Sequence, residues 1–378
     1  MVKGIHLTLL VGPAVPLPAP RAALDALQSV EVTVSDTGPS VFQLQFSIEK
    51  RSPLETLFLL SAGASPIPIL RVIVMVTVGG SSSVLIDGVV TQQQVLPGAD
   101  SSHSTLSVTG EDLTVVMRQI DFSGFPFPAT PAEGRVALLL LKYAFLGIIP
   151  MVIPSVLLDV PIPTNQIPSQ QGTDFDYINE LADKVGYVFY LEPQSTPGVS
   201  VGYWGPQIKV GVPQPALTIN MDTLTNCEAL SFTFDNQRRE MPTVVVYNEL
   251  SKIPIPIPIP IPNITPLSPP LGAIEPLTLK FKPIEGLAKY SIPKALSIGM
   301  AKAARSADAV RGDGSLDVLR YGRVLQPRRL VGVRGAGVAF DGLHYVKSVT
   351  HQIRRGEYKQ RFTLVRNGLV STLPSVPA

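Results

Sequence analysis

Apolar and polar positions alternate along much of residues 30–120, a spacing typical of antiparallel strands with one buried face. The strands predicted in this region are Val30–Ser35, Val41–Ile48, Ile69–Val78, Val84–Val95 and Thr105–Gly110. Asp87-Gly88 predicts a bend between strands, and Asp112 predicts the cap of a short helix that ends at Met117. The opening residues, Met1–Leu10, faintly resemble a signal peptide, but His6 and the prolines that follow favour a first strand.

Residues 121–205 change to helical spacing between proline-rich connections. Ala132–Gly147 predicts a buried helix of about four turns. Thr173 and Asp176 predict a capping box at the start of a second helix, and Gly186 predicts its end. A strand, Tyr187–Glu192, follows, so this region is predicted to be an α+β unit.

Strand patterns return after residue 206. The segments are Ala216–Met221, Glu228–Phe234, Thr243–Asn248 and most of Gly322–Leu373. Isoleucine and proline alternate over 253–262, which predicts an extended arm or linker that cannot be a central strand, because proline lacks the N–H donor. An alanine-rich helix is predicted over Lys294–Val310.

A repeated pattern suggests two copies of one β unit. Val76-Thr-Val-Gly-Gly precedes a strand with Asp87-Gly88, and another strand ends at Gly110. Val331-Gly-Val-Arg-Gly precedes a strand with Asp341-Gly342, and another strand ends at Gly368. The alternative is that two unrelated β-meanders share glycine turns.

Composition narrows the class of protein. Charged residues make up 16% of the 378 residues, against about 25% in an average soluble protein, which suggests that partners cover much of the surface. A formal charge of +2 provides no strong field for nucleic acid or for an anionic membrane. The apolar run Val136–Leu158 contains Lys142, Pro150 and Pro154, so no membrane insertion is expected.

No catalytic, cofactor-binding or metal site emerges from the motifs. His344 and His351 lie close to Glu357, but their odd spacing would put them on opposite faces of one strand. The glycines of Gly335-Ala-Gly337 indicate a turn, because no helix is predicted after them to complete a phosphate site. The single cysteine, Cys227, excludes a disulfide framework and is interpreted as a buried residue, not a nucleophile.

Two further motifs leave alternatives open. Arg311-Gly312-Asp313 spells an adhesion tripeptide, so a secreted β-rich surface adhesin is the alternative function. A hydrolase with a site dispersed in the sequence is a third option. The basic residues of the last third fit a solvated face, a lumen or a subunit contact as well as nucleic acid; they are Arg328, Arg329, Arg334, Arg354, Arg355 and Arg361.

Long segments of the chain resemble the late-control D-type baseplate hub proteins of contractile-tail phages and phage-like extracellular injection systems. They include Asp341–Ile353, Gly356–Leu369 and Gly322–Gly335 near the end, and Gly172–Tyr190 in the centre. Tyr203-Trp-Gly-Pro and Thr225–Phe232 are similar to segments of the injection-system variants. The isoleucine–proline repeat departs from the family pattern.

The resemblance implies a mainly β protein with α+β insertions and two related antiparallel β-barrels, assembled as a pseudo-sixfold homotrimer. It implies barrels at 1–120 and at 206–250 with 322–378, an α+β insert at 121–205, and an arm with a helical insertion at 251–321. The function implied is a structural hub, not an enzyme, without cofactors or nucleic-acid ligand. Its partners would be a hexameric inner tube, a separate trimeric spike, other baseplate components, and cargo or tape measure in the channel. The hub would assemble in the cytoplasm and then belong to a tail-like particle.

Overall fold

Alternating side chains build one large, mainly antiparallel sheet, because each strand buries one face and leaves the other to solvent. The structure is a computed structural model. It describes residues 4–13, 15–49, 58, 69–97, 103–155, 167–236, 240–247, 254–258, 267–276, 280–284, 295–296, 298–300, 303 and 307–373. The elements below are numbered in chain order.

The first part of the chain forms seven strands and two short helices. They are β1 Ile5–Gly12, β2 Leu17–Pro18, α1 Arg21–Ala26, β3 Leu27–Ser35, β4 Val41–Glu49, β5 Arg71–Val78, β6 Ser81–Pro97, β7 His103–Asp112 and α2 Thr114–Met117. Without the two-residue β2, the strands pair in the order β1-β5-β6-β7-β4-β3, which we call the first unit. The predicted first strand is confirmed as β1.

A second unit has the same strand order. Its elements are β11 Gln214–Thr218, β12 Cys227–Phe234, β17 Val310–Asp317, α5 Val318–Tyr321, β18 Leu330–Arg334, β19 Gly342–Arg354 and β20 Glu357–Arg366. The strands pair in the order β11-β18-β19-β20-β17-β12. Each strand of the first unit therefore has a counterpart in the second unit, which comes at the same place in chain order and pairs with the corresponding strands. Only the β11–β18 pair differs in sense, being parallel where β1–β5 is antiparallel.

Irregularities in the two units also coincide. The ladder between β3 and β4 shifts between Leu27 and Ser29, and the ladder between β12 and β17 shifts between Cys227 and Ala229. Where β6 meets β7 the shift follows Val90, and where β19 meets β20 it follows Val346. Because bulges are specific features of a backbone, their agreement favours duplication over chance similarity of two meanders.

The positions of the bulges show that the Asp-Gly motif, which suggested the repeat, does not occupy equivalent positions in the two units. When the two repeats are aligned by these bulges, Val90 is equivalent to Val346 and Gly88 is equivalent to His344. Asp87-Gly88 and Asp341-Gly342 are therefore not equivalent, because they lie two positions apart in the alignment. Asp87-Gly88 is not a bend, because β6 runs straight through it. Gly88 and Gly110 instead leave room for the Phe42 ring, which would lie 2.4 Å from a Cβ at Gly110.

The two units share one sheet and one hydrophobic core. β3 of the first unit pairs antiparallel with β19 of the second from Ser29–Arg354 to Ser35–Ser348. Core side chains from both units form a single cluster, with Leu44 and Val108 in the first and Val349 and Leu364 in the second. This strand pair, the β3–β19 junction, makes the two units one continuous structure.

The insert at 121–205 packs around a separate core. Its elements are α3 Ala132–Leu141, a 3₁₀ turn Ala144–Leu146, β8 Ile148–Val152, α4 Asp174–Val185, β9 Val188–Pro193 and β10 Ser200–Gly205. The predicted α+β unit is present, with the strands ordered β8-β10-β9. The predicted helix over Ala132–Gly147 is too long, because the chain leaves it after Leu141 and turns at Gly147 with φ 81°.

Smaller sheets lie between β12 and β17 in the chain and at its end. Their strands are β13 Glu240–Tyr247, β14 Pro254–Pro258, β15 Gly272–Ile274, β16 Lys280–Pro283 and β21 Leu369–Ser371. β14 comes from the isoleucine–proline repeat and lies at the edge of the β14-β13-β16 sheet, as its missing donors require. The rest of that repeat lies outside the described residues.

Other expectations need correction. The strand predicted over Ala216–Met221 lies earlier, at β11, and ends before a 3₁₀ turn at Asp222–Leu224. Of the helix predicted over Lys294–Val310, the described residues between 295 and 303 are helical. Its predicted end is wrong, because Val310 begins β17. β17, which the sequence placed in the insertion at 251–321, is a strand of the second unit.

Candidate functional site

One face of the main sheet is polar from β6 to β12. The register places a single row of polar residues across six strands: Gln92, Thr109, Gln43, Glu31, Gln352 and Lys359. Neighbouring rows on the same face are similar. They contain Ser29, Thr33, Gln45, Gln94, Ser107, Ser231, Thr233, Arg311, Asp313, Ser315, Ser348, Thr350, Arg354, Arg361 and Thr363. We call this surface the polar face.

Hydrogen bonds between strands organise the polar face in the first unit. Gln43 Nε2 donates to Ser107 Oγ at 3.0 Å, and Ser29 Oγ donates to Gln45 Oε1 at 2.9 Å. These neutral side chains satisfy one another across the sheet, which holds their rotamers without charge. Among the described residues of the first unit, Glu31 and Glu111 are the charged residues in these rows, and Glu111 is paired with Arg118.

The second unit adds charges, and most of them are paired. Arg311 Nε donates to Asp313 Oδ2 at 2.8 Å, and Thr363 Oγ1 donates to Asp313 Oδ1 at 2.7 Å. Burial raises the pKa of Asp313, but these hydrogen bonds outweigh it, and the net pKa is below the usual value. Lys359 bridges Glu228 and Glu357 at 3.0 and 3.2 Å. The polar face is therefore hydrated and close to neutral, a surface suited to contact without tight binding.

The β3–β19 junction keeps this face unbroken between the units. Thr33 and Thr350 share a hydrogen bond of 2.9 Å, and Gln352 Nε2 donates to Glu31 at 3.2 Å. At the end of the junction the backbone N–H of Asp36 donates to Lys347 O at 2.9 Å. Burial raises the pKa of the Asp36 carboxyl, which accepts from Gln207 Nε2 at 2.7 Å.

Arg328 joins the two units and the insert. Its guanidinium donates to Ser35 O at 2.7 and 3.0 Å and to Leu191 O at 3.3 Å, and it lies 3.8 Å from the centre of the Tyr190 ring. Arg328 has a φ of 62°, a left-handed conformation that a non-glycine residue adopts only when its surroundings enforce it. Arg328 is buried, although the basic residues of the last third of the sequence were expected at a solvated face, a lumen or a subunit contact.

A second buried cation joins the insert to the first unit. Arg71 Nε and Nη2 donate to the two oxygens of Asp87 at 2.7 and 2.6 Å, and Nη2 also donates to Leu146 O at 2.9 Å. Desolvation is the largest influence on Asp87 and raises its pKa, although Arg71 opposes it. A bidentate pair with further acceptors is what a buried arginine requires.

The insert carries apolar side chains on its surface. Leu138 and Leu141 on α3 and Phe145 after it repeat at helical spacing, and Ile149 and Met151 lie on one face of β8. All five are about half exposed or more. Such exposure on adjoining elements is typical of a surface that contacts another protein.

The two histidines lie on the same side of β19, which corrects the expectation of opposite faces. The bulge after Val346 absorbs one residue, so the spacing of seven acts as six. His344 packs against Phe232, and His351 bonds to Tyr358 Oη at 2.8 Å. Desolvation lowers the pKa of each to about 3, so both are neutral core residues. No group of three or more potential metal ligands occurs within the described ranges.

Other predicted residues also have structural roles. Cys227 is buried and desolvation raises the pKa of its thiol to about 12, so it is inert at neutral pH. Gly335 and Gly337 are turn residues with φ of 84° and 95°, as predicted. Arg311-Gly312-Asp313 is not a loop: it lies in β17 between two strands, with the Phe232 ring against Gly312.

The remaining arginines do not form one patch. Arg354 and Arg361 lie on the polar face, and Arg329 and Arg355 are exposed elsewhere. Arg366, absent from the predicted set, is buried and donates to Gly368 O, Asp341 O and Ala339 O, at 2.7, 3.0 and 2.5 Å. Among the helices of the described chain, none has the length and apolar character needed to cross a membrane.

Solved structures share this fold over nearly the whole chain. A tail protein from Neisseria meningitidis is 12% identical, with a TM-score of 0.63, and the match covers 97% of this chain and 98% of that one. The 43 kDa tail protein of prophage MuSo2 from Shewanella oneidensis is 14% identical, with a TM-score of 0.61 over 96% and 98%. The chain has the fold of a phage tail protein.

A component of an E. coli type VI secretion system, described as structurally similar to bacteriophage tail proteins gp27 and gp5, also shares the fold. It is 12% identical, with a TM-score of 0.52, and the match covers 93% of this chain and 76% of that one. No protein-family model and no curated protein sequence matches the chain. The resemblance to tail and baseplate proteins read from the sequence is thus confirmed at the level of the fold.

Proposed function

We propose that the protein is a structural hub at the centre of the baseplate of a phage tail or contractile injection system. The observation that carries the proposal is the duplicated strand order of the two units, joined so that their polar face is continuous. Three copies of a duplicated chain present six similar units around an axis, which adapts threefold to sixfold symmetry. The tail-protein fold supports this assignment.

In this arrangement the two units act as the two barrels of each subunit. The first barrel comprises residues 1–120. The second comprises 206–250 and 322–378 together with β17, while 121–205 and the rest of 251–321 are insertions. The six barrels form a ring that meets a hexameric inner tube on one side and a trimeric spike on the other, among other baseplate components.

The polar face lines the central channel in this proposal. Its side chains are mostly Gln, Ser and Thr, and its charges are largely paired, as at Arg311 and Asp313. Such a surface remains hydrated and offers few sites for strong binding, so cargo or a tape measure passes along it. The role is mechanical, with neither catalysis nor a cofactor, and the particle is assembled in the cytoplasm.

The mass of the protein in solution tests the proposal. We expect light scattering to give a trimer, alone or with its trimeric spike protein in a three-to-three complex, and electron microscopy to show a ring with a central opening. A stable monomer that binds neither spike nor tube protein would overturn the hub. The adhesin alternative is not favoured, because its tripeptide lies within the sheet with its own arginine and aspartate paired.

A further inference from the structure

Among the strand edges of the main sheet that have no strand partner in the described residues, two are counterparts of the strands that form the β3–β19 junction. One is the second half of β6, Thr91–Pro97, which pairs with β7 on one side only. The other is β12, which pairs with β17 on one side only. Val95 and Leu96 on the first edge are 41% and 49% exposed. Open edges with exposed apolar residues are templates for pairing with another chain.

The counterparts of these two edges already pair inside the chain. In the strand order of the units, β19 corresponds to β6 and β3 corresponds to β12. β19 and β3 form the β3–β19 junction, which joins the second unit to the first. An equivalent contact in which the two units exchange roles would therefore pair β6 of a first unit with β12 of a second unit. Because these two units are already joined within one chain by β3 and β19, the new contact needs a second copy of the chain.

We propose that Thr91–Pro97 of β6 pairs antiparallel with β12 of a second copy, in the register of the β3–β19 junction. The bulges give the equivalent positions of the two units: Gln94 is equivalent to Thr350, and Thr233 is equivalent to Thr33. Because Thr350 lies opposite Thr33, Gln94 lies opposite Thr233 of the second copy. One residue further along, Val95 lies opposite Phe232, as His351 lies opposite Val32.

The side chains on the two edges suit this register. Gln94 and Thr233 both belong to the polar face, so hydroxyl meets amide, and Val95 and Phe232 meet on the opposite face. No charged residue lies opposite another in these pairs. The contact is head-to-tail, a type that closes into a ring when its rotation allows. The inference deepens the proposed hub and rests on it, since it specifies the interface of the trimer.

Cysteine cross-linking tests the register. The Cβ atoms of directly opposed residues in an antiparallel pair lie about 4.5–5.5 Å apart, within reach of mild oxidation or a short bismaleimide. We expect the double variant Gln94→Cys with Thr233→Cys to form covalent trimers. The matched control is Gln94→Cys with Ala229→Cys, which shifts the thiol by four residues, about 13 Å, along the same face of β12. We expect at least tenfold less cross-linked trimer from the control.

The outcomes separate this interface from the hub itself. A trimer in solution that gives no cross-link at Gln94 and Thr233, or equal cross-linking in the control, overturns the strand pairing and leaves the hub standing. A wild-type monomer overturns both.

A charged residue on the edge provides an independent measurement. We expect Val95→Lys to raise the dissociation constant of the trimer at least tenfold while circular dichroism stays unchanged. Val338→Lys, at a turn residue that is 83% exposed, should leave association unaltered. Equal association of the two variants would also overturn the pairing.

Discussion

Buried polar side chains are spread through this protein, and three of them hydrogen-bond to backbone carbonyl groups or to a tyrosine. Arg328 and Arg366 donate to carbonyl groups, and His351 bonds to Tyr358. Burying such a group is tolerated only when it has partners, because desolvation otherwise costs several kcal/mol. At this scale these buried arginine and histidine side chains therefore contribute to packing, and the sequence motifs assigned none of them to a catalytic or metal site.

The neutral histidines predict acid sensitivity. Their pKa in the folded state, about 3, is below the ordinary histidine pKa of 6.5, so the unfolded chain binds protons more tightly. Stability present at neutral pH is therefore lost as pH falls from about 6.5 to about 3, by up to about 1.4 kcal/mol per pH unit for each histidine. Burial raises the pKa of Asp36, Asp87 and Asp112, which acts in the opposite direction, so a variant is needed to isolate the effect.

We expect His351→Gln to flatten this loss, because glutamine cannot be protonated in the unfolded chain. The measurement is the free energy of unfolding in urea at several pH values between 6.5 and 4. The control is His6→Gln on the exposed side of β1. A wild-type pH dependence in the His351 variant would show that this histidine does not titrate on unfolding.

Elements formed where local signals and long-range partners agreed. α4 has the predicted capping box, in which Thr173 Oγ1 accepts from the Asp176 N–H at 3.2 Å, and it ends at Gly186 with φ 74°. The Ala132–Gly147 pattern lacked an equally strong stop signal, and its last residues join a turn that leads into β8. Strand positions were predicted well wherever one face is buried, because a one-residue slip would expose the whole apolar set.

Removing the cap of α4 tests the value of that local signal. We expect Thr173→Ala to lower the free energy of unfolding by about 1 kcal/mol, since an N–H at the helix start loses its acceptor. Thr196→Ala, at an exposed turn residue, should have an effect within about 0.5 kcal/mol. Equal effects in chemical denaturation would argue that the box adds nothing to stability.

The hydrogen bonding of the isoleucine–proline strand β14 leads to a second prediction about the elements. Successive N–H groups of a strand point to opposite sides, so in β14 the donors towards β13 come from Ile255 and Ile257. We expect Ile255→Pro to remove one ladder hydrogen bond and to speed hydrogen exchange of the β13 amides. Pro256→Ile, which adds a donor on the open side, should leave that exchange unchanged; the reverse result would mean that the prolines face β13.

At the scale of the whole molecule, contacts between segments distant in sequence join the two units and the insert. The β3–β19 junction joins residues more than 300 positions apart, and Arg328 adds the insert to it. Removing the Arg328 guanidinium leaves the carbonyl oxygens of Ser35 and Leu191 without its hydrogen bonds. The continuity of the polar face, on which the proposed channel depends, is a property of this scale alone.

We expect Arg328→Met to lower the free energy of unfolding by about 2–4 kcal/mol, because three hydrogen bonds and the contact with Tyr190 are lost. Arg329→Met, at the exposed neighbouring residue, should cost less than about 0.5 kcal/mol. Urea denaturation followed by fluorescence compares the two. Similar losses would show that Arg328 is not the contact that unites the three parts.

The alternation of apolar and polar residues, the capping box at Thr173 and the missing donors of the proline repeat determined which segments became strands, helices and edges. These are local effects of side-chain burial and backbone hydrogen bonding, and they are visible in short windows. The partner of β3, the phase of His344 and His351 across a bulge, and the burial of Arg328 depended on contacts between distant segments. Those contacts are set by the packing of the complete chain, because the same local pattern is compatible with many pairings until one core excludes the rest.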